Sequence, residues 1–471
     1  MEGFPRSNVP ADSLAEAAPV KAAPTPAIWR PYQIYVLVVM VLVTTFNYLD
    51  RGILGVLQEP IKHEMGLSDW QLGLLSGPFF SLFFSVAGIP VARLAERSNR
   101  AALLSFAVGF WSAMTALCGV TVGFFQLALC RIGVGAGEGG CIPTSHALLS
   151  EYFSPKQRGM VMSFVSTAPS LAGIITPLIG GYVAHAYGWR AAFMIVGLPG
   201  LLVSLLVWFT LKDPRSAAVP GDKPVANTSF WADARWLFAN RAFLYLFLAG
   251  SLIGMGVSGL GAFRISFLVR SLGMSLPQAG ALWASAGAFG IVGSFLGGYL
   301  ADRFADDRGR SYALVPALGS ALCFVFYVIG FTQSNLVIVG PAFMVATLAY
   351  SMKNGPMYAA VQNVVPARMR ATGAAVFMFA ATVIGGACGP MLAGGISDFA
   401  ASQDFANGAL TFAQACPGGR APSGAVADLA AACASASANG LRSAMVVVSF
   451  VFAAATWLMV VCARHMRVSG D

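Results

Sequence analysis

The sequence predicts an all-α membrane protein, with twelve transmembrane helices in two pseudo-symmetric six-helix bundles. Three observations predict it. Of 471 residues, 57% are hydrophobic and only 10% charged, against about 25% charged in a soluble domain, and the mean hydropathy is +0.71. Twelve apolar runs follow one another, each long enough for a crossing of about 20 residues. The second six runs repeat features of the first. This composition needs lipid as its solvent, which excludes a soluble enzyme, a nucleic-acid binder and a disordered chain.

In chain order, residues 1–30 are rich in Ala and Pro and read as a disordered cytosolic tail, not a cleaved signal peptide. Runs over 32–60, 70–93, 101–120, 123–150, 160–185 and 190–211 build an N-terminal bundle, 31–211. A linker over 212–241 follows, with Asp213, Pro214, Pro220, Asp222 and Pro224 as a hinge. Its end, from Phe230 to Phe238, suits either a short amphipathic helix on the membrane surface or a cap on the seventh run. Runs over 242–269, 276–300, 311–331, 335–362, 371–397 and 440–463 build the C-terminal bundle, 242–465, with an outer loop over 398–438 and a cytosolic tail over 466–471. The longer runs should tilt or protrude.

Charge sets the expected orientation. With both termini inside, the inner segments hold 20 of the 29 basic residues. The outer segments hold five: Lys62, Arg190, Arg270, Arg420 and Arg442. That is a positive-inside distribution, and it accounts for the net charge of +9 without an acidic partner. Six of the eight cysteines lie in apolar runs and read as small hydrophobes. Cys416 and Cys433 share the polar outer loop. In an oxidising compartment they should form a disulfide, closing a loop worth roughly 3 kcal/mol of entropic restraint.

The halves echo each other at constant spacing. Gly66-Leu-Ser68-Asp-Trp-Gln71-Leu-Gly73 matches Gly273-Met-Ser275-Leu-Pro-Gln278-Ala-Gly280 at an offset of 207. Ala92-Arg-Leu94-Ala-Glu96-Arg97 matches Gly298-Tyr-Leu300-Ala-Asp302-Arg303 at 206, and Pro177…Gly180-Gly181 echoes Pro390…Gly394-Gly395. Parallel six-helix repeats are a transporter architecture, with the substrate site at the repeat interface near the midplane.

The loop Glu96-Arg97-Ser-Asn-Arg100 and its copy from Asp302-Arg303 to Gly309-Arg310 resemble the signature loop of the major facilitator superfamily. The first copy departs from it, with Ala92 and Asn99 where Gly is usual and Glu96 where Asp is usual. The resemblance covers about residues 32–465 and implies the major facilitator fold and alternating access. A narrower resemblance rests on Asn47-Tyr48-Leu49-Asp50-Arg51 and on Arg131-Ile-Gly-Val-Gly-Ala-Gly-Glu138. These are similar to the Spinster branch, whose animal members move sphingosine-1-phosphate and lysophospholipids. The same Asp-Arg and Arg-x6-Glu pair also resembles organic-anion:proton symporters of the superfamily. As a bacterial member, the protein is expected in the inner membrane as a multi-pass monomer, both termini cytosolic.

Six ionisable residues fall inside apolar runs: Asp50, Arg51, Arg131, Glu138, Arg264 and Lys353. Each costs roughly 2.5–3.5 kcal/mol at a helix centre on an insertion scale, so each is a functional candidate, the alternative being a structural ion pair. Asp50 and Arg51 point about 100° apart and need different partners. Depth along antiparallel helices pairs Asp50 with Arg131 and puts Glu138 two turns further in. Asp50, Arg131 and Glu138 are therefore the expected proton-coupling group, with Arg131 switching between the acids. Four basic and two acidic groups favour an anionic substrate, with Arg51, Arg264, Asn47, Tyr48, Tyr350, Asn354 and Tyr358 as candidate contacts. Glu96, Arg97, Asp302 and Arg303 should close the inner gate through charge-assisted contacts. Gly133, Gly135, Gly137 and Gly139 read as packing contacts. His146 and His185 sit near run ends and are not assigned a role.

No GxSxG, HExxH or Walker A pattern occurs, so neither an enzyme nor an ATP-driven pump is expected, and no cofactor or metal. The expected function is a secondary active transporter, proton-coupled, for an anionic amphiphile of the lysolipid or sphingolipid class. The alternative is a proton-coupled symporter of small organic anions such as sugar acids. A third class, a transporter-derived sensor, has no need of the buried acids.

Overall fold

The computed structural model describes residues 29–214, 230–306, 308–366, 369–405 and 410–466, without the side chains of Glu96, residues 155–156, 230–234 and 371. The expected tails and most of the linker lie outside the described residues.

All regular structure there is helical. Ten stretches have the length and apolarity of membrane crossings. One of them, Gln157–Thr210, reverses at Gly188 (φ 84°) and so crosses twice. The broken helix Phe124–Glu138/Cys141–Tyr152 makes a further crossing. Twelve spans result among the described residues. Span 1 is Pro31–Met65, span 2 is Asp69–Ser76 with Pro78–Arg97, and span 3 is Arg100–Cys118. Span 4 is the broken helix. Span 5 is Pro155–Val165 with Ala168–Thr210 up to Gly188, and span 6 is the remainder. Span 7 is Arg241–Leu272, span 8 Leu276–Arg303, span 9 Ser311–Thr332, and span 10 Leu336–Ser351 with Asn354–Val364. Span 11 joins Arg370–Phe379 to Gly386–Asp404 through a π turn, Ala380–Gly385; span 12 is Ala427–His465. With an even number of crossings, Pro31 and His465 lie at one end, called here the terminal end.

The repeat is visible in local structure. Span 1 ends at Gly66 and span 7 at Gly273, both left-handed (φ 64° and 65°), a conformation that Gly adopts without penalty. Two residues on, Ser68 and Ser275 each cap the next helix in a box closed by Gln71 and Gln278. The halves then meet backbone to backbone. A Cβ on Gly73 would fall 2.4 Å from the Pro390 carbonyl oxygen, and one on Gly280 2.1 Å from that of Pro177. Gly181 and Gly394 press on Leu276 and Asp69 in the same way. Gly135 and Gly139 pack on the Phe80 and Phe84 carbonyls inside the N-terminal half. Large apolar side chains such as Phe125, Phe209 and Phe295 stay exposed, as lipid-facing residues do.

Several boundaries differ from the expected ones. Span 12 starts at Ala427, not 440, because 427–439 is Ala-rich, a strong helix former, and buries Cys433 and Ala436 against Phe412 and Ala415. Span 11 runs to Asp404, so the loop expected over 398–438 shrinks to 405–426. Span 1 continues through Pro60 to Met65, with Lys62 buried. The helix Phe230–Ala239 buries Leu237 and sets Phe238 edge-to-face with Phe243 and Phe247, capping span 7.

Candidate functional site

A cavity of about 830 Å³ lies between the halves and extends toward the terminal end. A smaller lobe of about 320 Å³ adjoins it through Tyr48, Arg264 and Trp283, and includes Arg51. Spans 4, 5, 10 and 11 are all interrupted around these lobes, at Gly139–Gly140, Ser166–Thr167, Met352–Lys353 and the π turn. Discontinuous helices free backbone groups at the midplane, and transporters use them there.

The N-terminal wall carries the acids, but not in the expected pairing. Arg51 Nε donates to Glu138 Oε2 at 2.7 Å, with Glu138 fully buried. The Arg51 guanidinium also lies 4.3 Å from the Phe84 ring centre and 5.1 Å from that of Tyr48. Arg131 does not bridge to the Asp50 carboxylate: its Nη1 donates to the Asp50 main-chain carbonyl at 3.3 Å. Both Asp50 carboxylate oxygens are buried without a hydrogen-bond partner, beside Trp111 and Thr115, which close no bond to them. Asn47 stands beside Glu138, also without closing one. The depth argument placed these groups at the right height, but rotation about span 1 turns Arg51 toward Glu138. The expected Asp50–Arg131 bridge, with Glu138 waiting below Arg131, is corrected accordingly.

The C-terminal wall presents cations. Arg264 lies flat against Trp283, 3.7 Å from its ring centre. Lys353 Nζ sits 4.6 Å from the Tyr350 ring centre and donates to Asn354 Oδ1 at 3.3 Å. Among the described residues neither cation meets a carboxylate. Tyr48, Tyr350, Asn354 and Tyr358 all line the cavity, and Asn354 is held by Ser294 at 3.0 Å. Trp283 and Tyr327 line it too and were not singled out in the sequence; aromatic residues in apolar runs carry no distinguishing signal there.

Of the four loop residues expected at the inner gate, the three whose side chains are described show no contact between the halves. The Glu96 side chain lies outside the described residues, Arg97 and Arg303 are exposed, and Asp302 accepts the Tyr312 hydroxyl at 2.8 Å within its own half. The charged contacts that do cross between halves lie at the opposite end, where Arg270 of span 7 meets Glu59 and Asp69, both at 2.7 Å. This cluster was missed because Lys62 and Arg270 read as outer-segment charges and Asp69 as part of a turn repeat. Cys416 and Cys433 are joined in a disulfide beside it.

A closed interface at one end, a cavity toward the other and two similar bundles are the architecture of a membrane transporter. The family model described as Major Facilitator Superfamily matches residues 40–390, and the chain belongs to that superfamily; it is a multi-pass membrane transporter, not an enzyme. It is 34% identical over 374 residues to an MFS-type efflux pump of Mycolicibacterium smegmatis, covering 76% of this chain and 83% of that protein. It is 26% identical over 370 residues to a probable L-galactonate transporter of Escherichia coli, covering 75% and 80%. Its structure is similar to that of a bacterial homologue of the human lysosomal transporter Spinster in an inward-facing, unoccupied conformation. The TM-score is 0.80 at 29% identity, covering 94% of this chain and 100% of that one.

Proposed function

We propose that the protein is a proton-coupled transporter of an anionic amphiphile of the lysolipid or sphingolipid class. The observation that carries this reading is the division of charge between the halves: among the described residues Arg264 and Lys353 face the cavity without acidic partners, while the Asp50 carboxylate is buried in the N-terminal half with no hydrogen bond. A cavity of about 830 Å³ with Trp283, Tyr327, Phe331 and Met378 in its wall suits an acyl chain beside an anionic headgroup. The protein would act as a monomer in a bacterial inner membrane, both termini cytosolic, in keeping with its basic segments.

The coupling runs through Arg51. It lines the smaller lobe and holds Glu138, so an anionic headgroup that reaches it competes with Glu138. A carboxylate losing its guanidinium in a dry core is costly unless a proton neutralises it. Anion arrival and proton uptake are thereby linked. Asp50 is the carrier that supplies this proton to Glu138, and Arg131, already within reach of the Asp50 main chain, turns to the Asp50 carboxylate when the proton leaves. Glu96, Arg97, Asp302 and Arg303 would form the inner gate in the opposite state.

The second reading, a small organic anion such as a sugar acid, is favoured by the two cations and by the similarity to a probable L-galactonate transporter. Proteoliposomes under a pH gradient separate the two. Uptake of lysophosphatidylglycerol, with none of D-glucarate, supports the first; the reverse supports the second. Uptake of neither under any gradient contradicts both.

A further inference from the structure

At the end away from the termini, the halves are joined by one buried charge cluster. Lys62 Nζ meets Asp69 Oδ1 at 2.5 Å, and Arg270 reaches the two Asp69 oxygens at 2.7 and 2.8 Å. Arg270 Nε also donates to Glu59 at 2.7 Å, and His63 Nε2 lies 3.3 Å from the same carboxylate. From span 11, Ser397 donates to Asp69 at 2.6 Å, and Asp398 accepts the Asp69 and Trp70 amides at 3.0 and 2.7 Å. Glu59, Lys62 and Asp69 belong to the N-terminal half; Arg270, Ser397 and Asp398 belong to the C-terminal half. Every transport cycle must break this cluster for the outer end to open.

The segment between spans 11 and 12 lies directly on it. The turn Pro417–Gly419 has Gly418 and Gly419 at positive φ (67° and 80°). A Cβ on Gly418 would fall 2.8 Å from the Lys62 carbonyl oxygen. One on Gly419 would fall 3.1 Å from Lys62 Cε, 3.3 Å from its Nζ and 2.9 Å from Ser437 Oγ. Ser437, on span 12, is itself within 3.3 Å of Arg270 Nη1. Lys62 is left 1% exposed. The disulfide ties Cys416, the residue before this turn, to Cys433 near the start of span 12.

We propose that the disulfide-closed segment is a strap that keeps the outer charge cluster dry, and that its seating on Lys62 sets how often the outer gate opens. Ion pairs of this kind hold strongly where water is excluded and weakly where it enters. The bond restricts the turn to positions over span 1; without it the turn is free to lift and admit water. The strap thus acts on the gate, not on the substrate. The inference stands apart from the proposed substrate and proton chemistry, since its test contains neither.

Spin labels at Val122→Cys and Val337→Cys, both strongly exposed at this end and on opposite halves, report the outer opening by electron–electron distance in liposomes. The six free cysteines are replaced beforehand. The wild-type disulfide should give mainly the short, closed distance. Cys416→Ser/Cys433→Ser should raise the long-distance population about tenfold relative to it. Gly419→Ala keeps the disulfide but pushes into Lys62 at a positive φ, and should shift the populations in the same direction. It decides the question alone if the double variant does not fold. Distance distributions in the folded variants identical to that of the wild type would overturn the proposal.

Discussion

Spans 1 and 7 occupy equivalent places in the two halves, yet their chemistry differs. At the offset of 207 that relates the repeats, Asp50 corresponds to Val257 and Arg51 to Ser258. The N-terminal half balances charge internally, with Arg51 on Glu138 and Arg131 beside Asp50. The C-terminal half instead lays Arg264 on Trp283 and Lys353 on Tyr350, aromatic faces that attract a cation without neutralising it. Both halves keep the same caps and glycine contacts, which are requirements of the scaffold. The ions are where they part. On the proposed reading, one wall gains and loses a proton, and the other draws negative charge from the substrate.

The largest break in this contrast should come from Glu138→Gln. It leaves the partly buried Arg51 guanidinium without a counter-ion, a loss of about 3 kcal/mol at most, seen as a lower melting temperature of the purified protein and loss of transport. Adding Arg51→Gln should restore part of the stability but not the transport, because the two residues form one unit. Next, Arg264→Ala should raise the KM for an anionic substrate about tenfold, as the loss of one charge-assisted bond would, with an unchanged pH profile. Val257→Asp copies Asp50 into the other half and should weaken anion uptake in the same sense. Lys353→Gln should cost less, about threefold in KM, since among the described residues Lys353 is held by Tyr350 and Asn354. The smallest effect is expected from Asp302→Asn: the gate it would form belongs to the opposite state, and in the state described its partner Tyr312 lies in its own half. Cysteine accessibility from the terminal side should change by less than about twofold, within the range of a surface charge contact.

Much of this was legible in the sequence, for physical reasons. Apolar runs and charge placement report the bilayer directly, and the Gly66/Ser68/Gln71 and Gly273/Ser275/Gln278 repeats report turn and cap geometry that few other residues allow. The buried ionisable residues stood out because lipid makes them expensive. What the sequence lacks is azimuth. Depth along two antiparallel helices fixes height alone, so it pairs Asp50 with Arg131 through its carboxylate and leaves Arg51 without its partner Glu138. Span ends were also blurred. Pro60 interrupts the apolar run of span 1 although the helix continues to Met65, and this hid Lys62 from the membrane-embedded set. The cluster of Glu59, Lys62, Asp69 and Arg270 assembles from segments up to 211 residues apart, a proximity that no local pattern encodes.

The account rests on Asp50 as the proton carrier, and one measurement reaches it directly. Wild-type and Asp50→Asn proteins are reconstituted at equal density, and lysophosphatidylglycerol uptake is followed with and without an imposed pH gradient. Asparagine keeps the shape of the protonated acid and cannot release a proton. The wild type should respond to the gradient, and Asp50→Asn should transport at a rate indifferent to it. An Asp50→Asn protein that keeps the wild-type pH response would contradict the assignment and leave Asp50 a structural neighbour of Arg131.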